Sequence, residues 1–433
     1  DLLLGREPDD YDVATNATPD VVLDMFPRTF AVGAHFGVVL VATDCETVTT
    51  NQKSAPPQVV TEVATFRSDG VYSDGRRPDV VHYTQSAADD VQRRDFTING
   101  LLLDALQATD LWTSPDALRT VVVDHVVGLA DLDAGILRAI GEAVRRFEED
   151  LLRLLRGVRF AAGFGFKIEP ATQAAMRTCA QRIAAVSRER VRDELTKMLT
   201  EGHARRAFEL LDETGLLGEV LPEIARMKGV EQPPQYHPEG DVWTHTLMLL
   251  EQLEAGCALT LAWGALLHDV GKPPTFTRTD RVRFNGHVEV GVAMGAAICR
   301  RFRFSNDETR MILALIENHM RFADAPKMKA STLKRFFRLE HFEQHLALHK
   351  MDCMAASGNL DHWSFVRERF FSTPIEEVRP EPLITGRQLI AAGYAPGAAF
   401  KEMLRVVEDA HLDGAITTTD EAMTLVRERF PLQ

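Results

Sequence analysis

Leu3-Leu4-Gly5-Arg6-Glu7-Pro8-Asp9-Asp10-Tyr11-Asp12-Val13-Ala14-Thr15 sets two carboxylates, Asp10 and Asp12, one residue apart. Residues i and i+2 of a strand point to the same face, so a strand here aims both at one point. Further along, Glu62 lies in Val59-Val60-Thr61-Glu62-Val63-Ala64-Thr65-Phe66, a β-branched run that reads as a second strand. If the two strands are neighbours, three carboxylates converge. Such a set of hard oxygen ligands suits Mg²⁺ and the phosphate oxygens it binds. Spacing alone does not decide this, because Asp-x-Asp also occurs in surface turns.

The chain has 433 residues, too many for one compact core, so about two to four domains are expected. Hydrophobic content of 45% and charged content of 26% are ordinary for a globular protein. No apolar run reaches the length of a membrane span, and the start does not read as a signal peptide, so no membrane partner is expected. Cys45, Cys179, Cys257, Cys299 and Cys353 are scattered with no Cys-x-x-Cys, which fits the cytoplasm and neither a zinc site nor a disulfide frame. The net charge of −14 excludes a generic nucleic-acid coat but not a local basic groove. Arg145, Arg146, Arg153, Arg156 and Arg159, then Arg182, Arg188, Arg190 and Arg192, form either such a groove or a solvated face.

Residues 1 to about 125 mix short strands (Phe36–Val41, Val59–Phe66, Thr120–Val123) with loops, and Thr18-Pro19 reads as a helix start. The polar stretch from Asp44 to Gln58, with Pro56-Pro57, reads as a loop. From about residue 126 the pattern is helical. Leu151, Leu152, Leu154, Leu155, Val158 and Phe160 make a wide apolar stripe.

Leu4-Gly5-Arg6, Asp10-Tyr11-Asp12-Val13-Ala14-Thr15, Glu62-Val63 and Arg93-Arg94-Asp95-Phe96-Thr97-Ile98-Asn99 together resemble the head of class II tRNA nucleotidyltransferases and bacterial poly(A) polymerases. The likeness runs through most of the chain, which resembles a CCA-adding enzyme carrying an HD domain. The resemblance implies a multidomain fold: a small α/β nucleotidyltransferase head over 1–125, an all-α neck over 126–235, an HD body over 236–370 and a helical tail over 371–433. It implies that Asp10 and Asp12 hold Mg²⁺, with Glu62 as third carboxylate, while an RNA 3′-hydroxyl attacks the α-phosphate of ATP or CTP. Arg93 and Arg94 then face phosphate oxygens. Asp95 or Asn99 contacts sugar hydroxyls, or the two cap a turn instead. The family's glycine turn that holds the triphosphate is absent. Asp1 resembles the aspartate closing that run, so a missing N-terminal segment is expected to carry it.

In Glu149-Asp150-Leu151-Leu152-Arg153, a continuous helix places Asp150 and Arg153 on one face. Cytosine and adenine each offer an amine donor beside a ring-nitrogen acceptor, which a carboxylate and a guanidinium can match. The resemblance implies this role as a protein template, with Arg156 as a further contact; the bland alternative is an intrahelical salt bridge. Gly128-Leu129-Ala130-Asp131-Leu132 and Leu137-Arg138-Ala139-Ile140-Gly141 resemble the family motif at the head–neck hinge. Ser187-Arg188-Glu189-Arg190 resembles the next motif, with Arg188 and Arg190 as RNA contacts or as part of a supporting helix.

His245, His268-Asp269 and Asp352 occur in the order of the HD phosphohydrolase superfamily, and His287 and His319 extend the set to two metals. Imidazoles and carboxylates from separate helices suit Mg²⁺, Mn²⁺ or Ni²⁺. In the tail, Arg387 and Lys401 are placed to grip tRNA phosphates. The function implied is CCA addition to tRNA 3′ ends, with an accessory HD phosphohydrolase activity on RNA ends. The alternatives are a poly(A) polymerase of the same family and an HD phosphohydrolase with an inactive head. The choice between nucleotide specificities is assigned to the region between Arg67 and Asp90 and to the neck.

Overall fold

The structure is a computed structural model that describes residues 1–8, 10–30, 37–44, 58–70, 80–109, 111–112, 114–235 and 237–432. Phe36, Cys45, most of the Asp44–Gln58 loop and residues 71–79 lie outside the described residues. The chain forms two compact units. One comprises Asp1–Met198 and Arg206–Pro222, the other Leu199–Arg205 and Glu223–Gln433. Among the described residues, no helix is long and apolar enough to cross a membrane.

The first unit is built on strands β1 (Asp12–Thr15), β2 (Thr29–Phe30), β3 (Val38–Asp44) and β4 (Gln58–Thr65), in the order β1-β4-β3-β2. β1 runs parallel to β4 and β3 antiparallel to it. Helix α1 (Pro19–Met25) starts as expected, with extended Thr18 before Pro19, although the Thr18 hydroxyl makes no capping bond. Val22 of α1 packs with Val39, Val41 and Val63 to bury one face of the sheet. Alternation along β4 then turns Glu62 to the opposite face, and the register sets Asp12 beside it. β1 begins at Asp12, so Asp10 precedes the strand rather than lying within it.

The continuous helix expected across Glu149–Arg153 is broken. Helix α2 (Ala87–Gln92) belongs to the head, and the neck carries α3 (Ala143–Glu149) and α4 (Arg153–Phe164), separated at Asp150 with φ −144° and ψ 106°. Asp150 Oδ1 accepts from the Leu152 amide at 3.0 Å, a local bond that competes with the helical ladder. Leu154, Leu155 and Val158 still form the buried stripe, with Phe96 and Phe147.

The second unit is helical. The first unit also carries helix α5 (Arg188–Thr200) up to Met198; the second carries α6 (Val242–Leu250), α7 (Leu259–Leu267), α8 (Lys272–Thr275), α9 (His287–Arg301), α10 (Asn306–Asn318) and α11 (Phe342–Ala355). The tail helices α12 (Gly386–Ala391), α13 (Ala399–Leu412) and α14 (Thr419–Arg429) bury their own cluster, including Leu389, Tyr394, Met403, Val407 and Val426. Burial pushes the Cys299 and Cys353 thiols up to about 11 and about 12.

Gly271 fixes how closely α8 approaches α9. A Cβ there would lie 2.0 Å from the His287 carbonyl oxygen and 2.6 Å from the Gly291 amide nitrogen, both backbone atoms. Gly271→Ala is therefore expected to push α9 outward and lower stability by about 1–3 kcal/mol. An unchanged denaturant midpoint would contradict this packing.

His345 is 1% exposed and neither ring nitrogen has a hydrogen-bond partner. Burial, helped by the Arg321 charge, pushes it down to about 4. Burial does the same to His349, stacked on Phe322 with ring centroids 4.3 Å apart. An unfolded histidine titrates near about 6.5. The unfolded chain thus binds more protons than the folded one between these values. Stability is full above about pH 6.5 and falls toward pH 4, by up to about 1.4 kcal/mol per pH unit for each group. His345→Phe is expected to flatten that slope; parallel midpoint-against-pH curves for variant and parent would count against it.

Candidate active site and metal centre

Asp10, Asp12 and Glu62 line one cavity of about 1050 Å³, together with Arg93, Arg94 and Asn99. Burial and the neighbouring Asp10 charge push Asp12 up from the usual carboxylate range, against the pull of Arg94. Burial, Asp12 and Asp10 do the same to Glu62. Burial and carboxylate charge thus outweigh the pull of Arg94 at Asp12 and raise Glu62 as well, which is the environment a divalent cation fits. The oxygens of this trio do not all come within 4.8 Å of one another, so the set is open.

Asp90 holds the two arginines, and the sequence reading missed it. It is 1% exposed, and its carboxylate pairs with Arg93 at 2.7 Å and with Arg94 at 3.1 Å. The signal was present: Asp90 precedes them by three and four residues on α2, the spacing at which helical side chains meet. Asp95 and Asn99 take the capping arrangement. Asp95 Oδ1 accepts from the Phe96 amide and from Asn99 Nδ2, both at 2.9 Å, and Oδ2 accepts from Arg156 Nε at 2.8 Å. Burial opposes its ionisation, but Arg156 and Asn99 outweigh burial and hold Asp95 below the usual carboxylate range. Both oxygens thus accept hydrogen bonds within the protein, and of the two residues Asn99 lines the cavity.

Asp150 and Arg153 do not pair with each other. Arg153 donates to Glu149 Oε2 at 2.8 Å and to the carbonyls of Arg146 and Arg93, both at 2.9 Å. Asp150 Oδ2 accepts from Arg190 Nη2 at 2.9 Å. The shared helical face is corrected by the break at Asp150. Arg190, expected to contact RNA, donates one nitrogen to Asp150, and Arg156 donates to Asp95. Arg188 opens α5. At the hinge motif, buried Asp131 accepts from Thr97 Oγ1 at 2.7 Å and pairs with Arg138 at 3.0 Å.

In the second unit, His245 (α6), His268-Asp269 (after α7), His287 (α9), His319 (after α10) and Asp352 (α11) come together. Asp269 is at the centre. His245 Nε2 lies 3.9 Å and His268 Nε2 3.1 Å from Oδ2; His287 Nε2 lies 3.9 Å and His319 Nε2 3.8 Å from Oδ1. Asp352 Oδ1 is 3.1 Å from His245 Nε2. The tautomers follow from the outer nitrogens. His268, His287 and His319 donate Nδ1–H to the carbonyls of Ala265, Phe284 and Ile316 at 2.8, 3.0 and 2.7 Å. His245 donates Nδ1–H to Glu239 Oε1 at 2.7 Å. Every Nε2 therefore points inward, and those of His287 and His319 are 3.4 Å apart. His268 Nε2 and Asp269 Oδ1 are buried with no hydrogen-bond partner. Converging lone pairs and orphaned acceptors fit a divalent cation.

Burial opposes the charge on Asp269, but His268 and Lys272 hold its carboxyl well below the usual range. Burial likewise opposes the charge on His245, yet Asp352 and Glu239 raise it to about 9, so with no cation present its Nε2 carries a proton toward Asp352, and a bound metal would displace that proton. Burial pushes His319 down to about 4. Lys272 and Glu239 are two further residues that the sequence reading missed. Lys272 Nζ is 2.7 Å from Asp269 Oδ2 and donates to Gln232 Oε1 at 2.6 Å. In the tail, Arg387 and Lys401 are exposed on α12 and α13, which meet where Gly386 faces Phe400.

Family models match three stretches: the poly A polymerase head domain over residues 1–138, the probable RNA and SrmB-binding site of polymerase A over 165–228, and the HD domain over 241–351. The CCA-adding enzyme of Geobacillus stearothermophilus is 30% identical over 426 residues, 97% of this chain and 88% of that one. The A-adding tRNA nucleotidyltransferase of Deinococcus radiodurans is 33% identical over 81% of either chain. The crystal structure of the Bacillus stearothermophilus CCA-adding enzyme in complex with CTP matches with a TM-score of 0.69 at 26% identity, covering 99% of this chain and 91% of that one. Against the CCA-adding enzyme of Lactobacillus johnsonii the match is 34% identical and spans 58% of that relative's length. The chain belongs to the family of CCA-adding enzymes and related tRNA nucleotidyltransferases, with a poly(A) polymerase-type head and an HD domain.

Proposed function

We propose that this protein adds CCA to tRNA 3′ ends from CTP and ATP, without a nucleic-acid template, in the cytoplasm. The observation that carries the reading is the meeting of Asp10, Asp12 and Glu62 in one cavity with Arg93 and Arg94. The RNA 3′-hydroxyl gives up its proton to solvent as its oxygen bonds to the α-phosphorus of the nucleotide, the bond from that phosphorus to the bridging oxygen breaks, and pyrophosphate leaves. Asp10 and Asp12 are the ligands for Mg²⁺, with Glu62 as the third carboxylate. When bound, the ion stabilises negative charge on the attacking and leaving oxygens. Arg93 and Arg94, aimed by Asp90, hold phosphate oxygens, and Asn99 lies within the same wall. Asp150 and Arg153 present an acceptor and a donor to the base, each fixed by its own partner rather than by the other. Arg387 and Lys401 supply phosphate contacts from the tail.

The HD unit supports a second activity, hydrolysis of phosphate esters at RNA ends, because its inward lone pairs ask for a divalent cation. His245, His268, Asp269 and Asp352 are the ligands of one half, and Asp269, His287 and His319 those of the other. Mg²⁺, Mn²⁺ and Ni²⁺ all suit these donors.

The test offers the full native chain three RNAs: tRNA lacking CCA, tRNA ending in CC, and an unstructured RNA, with ATP and CTP separately and together. The expected products are CC and then A, on tRNA alone, stopping there. A-only addition places the enzyme with its A-adding relatives, and long A tails on any RNA make it a poly(A) polymerase. Asp12→Asn is expected to reduce incorporation by at least about a hundredfold while tRNA binding persists. Unimpaired incorporation in that variant would refute the active-site assignment.

A further inference from the structure

Three of the four inward imidazoles are held by neutral backbone carbonyls three residues back, and His245 is the exception. The carbonyl three residues before it, at Val242, accepts from the Thr246 hydroxyl at 2.8 Å. His245 instead donates to a carboxylate, Glu239. The same oxygen lies 2.8 Å from His237 Nδ1. A carboxylate has no proton to give, so both ring nitrogens must carry N–H. The Glu239 side chain is 3% exposed and its Oε2 is buried with no partner. Among the described residues no lysine or arginine is paired with it. Its position is fixed by the turn His237-Pro238-Glu239-Gly240, where Gly240 has φ +120°, followed by Asp241 capping α6 at the Thr244 amide, 2.8 Å away.

A buried carboxylate answered by two imidazoles and its own backbone amide, with no lysine or arginine beside it, is costly unless positive charge lies on the far side of one of the imidazoles. That side of His245 is where Asp269 and Asp352 converge. A carboxylate behind a histidine also strengthens its other nitrogen as a metal ligand more than a neutral carbonyl does. We propose that Glu239 is a positioning residue that fixes His245 with its Nε2 inward and makes the His245–His268–Asp269–Asp352 half of the centre bind a divalent cation more tightly than the Asp269–His287–His319 half. The inference rests on the metal-binding reading of the HD unit given above.

The experiment titrates the full chain with Mn²⁺, reading free Mn²⁺ by electron paramagnetic resonance, in a parent carrying Asp10→Asn and Asp12→Asn to silence the head. The parent is expected to show a tight and a weaker class of site. Glu239→Gln keeps an acceptor but removes the charge, and is expected to weaken the tight class about tenfold to a hundredfold while leaving the weaker one in place. His319→Ala is expected to remove only the weaker class. Identical isotherms for Glu239→Gln and its parent, or equal weakening of both classes, overturn the positioning role. A parent that binds no Mn²⁺ overturns the metal reading itself, and this inference with it.

Discussion

Like charges and lone pairs turned toward a common point repel unless a cation lies between them. The parallel pairing of β1 with β4 sets Asp12 beside Glu62, and the Val22–Val39–Val41–Val63 core on the other face keeps them there. In the HD unit the same constraint is met with nitrogen. Four Nε2 atoms surround Asp269, and His287 and His319 face each other at 3.4 Å. In the head packing holds the acceptors in place, in the HD unit backbone carbonyls and Glu239 do, and a divalent cation at either point would relieve the repulsion.

The acids of this protein divide into two groups by their partners. Asp90, Asp95 and Asp131 are buried and answered by arginine, so they act as clamps that aim other side chains. Asp10, Asp12 and Glu62 form the other group: burial and the Asp10 charge raise Asp12 against the pull of Arg94, and burial with Asp12 and Asp10 raises Glu62. Asp269 is intermediate: Lys272 answers one oxygen, while the other is buried without a partner between His287 and His319. Arginine follows the same division. Arg153 and Arg190, which sequence motifs assign to nucleotide and RNA, are tied into the protein, and their geometry is set before any ligand arrives. Such pre-set donors need less ordering when a base is selected.

The head was legible because a period of two and a β-branched run locate β4, and because the motifs around Asp10, Asp12, Glu62 and Arg93–Asn99 occur as a set, whereas Asp-x-Asp spacing alone left Asp10 to a turn as readily as to a strand. The HD cluster was legible as an ordered set of histidines and aspartates, although the tautomers were not. They depend on carbonyls three residues back and on Glu239, a residue with no signal of its own beyond lying near His237. The Asp150 break was not legible, since helical spacing and a local turn share the same letters and an aspartate side chain decided between them. Asp90 was overlooked although its spacing to Arg93 and Arg94 was plain. Its burial, which gives the pairing its strength, depends on tertiary contacts.

Crystals of the full chain soaked in Mn²⁺ and recorded at the manganese absorption edge test the cation requirement most directly. Anomalous peaks among Asp10, Asp12 and Glu62 and beside Asp269 are the predicted result. Filled crystals with no peak at either place would contradict it, because the facing acceptors would then be stable without the ion they are arranged to hold.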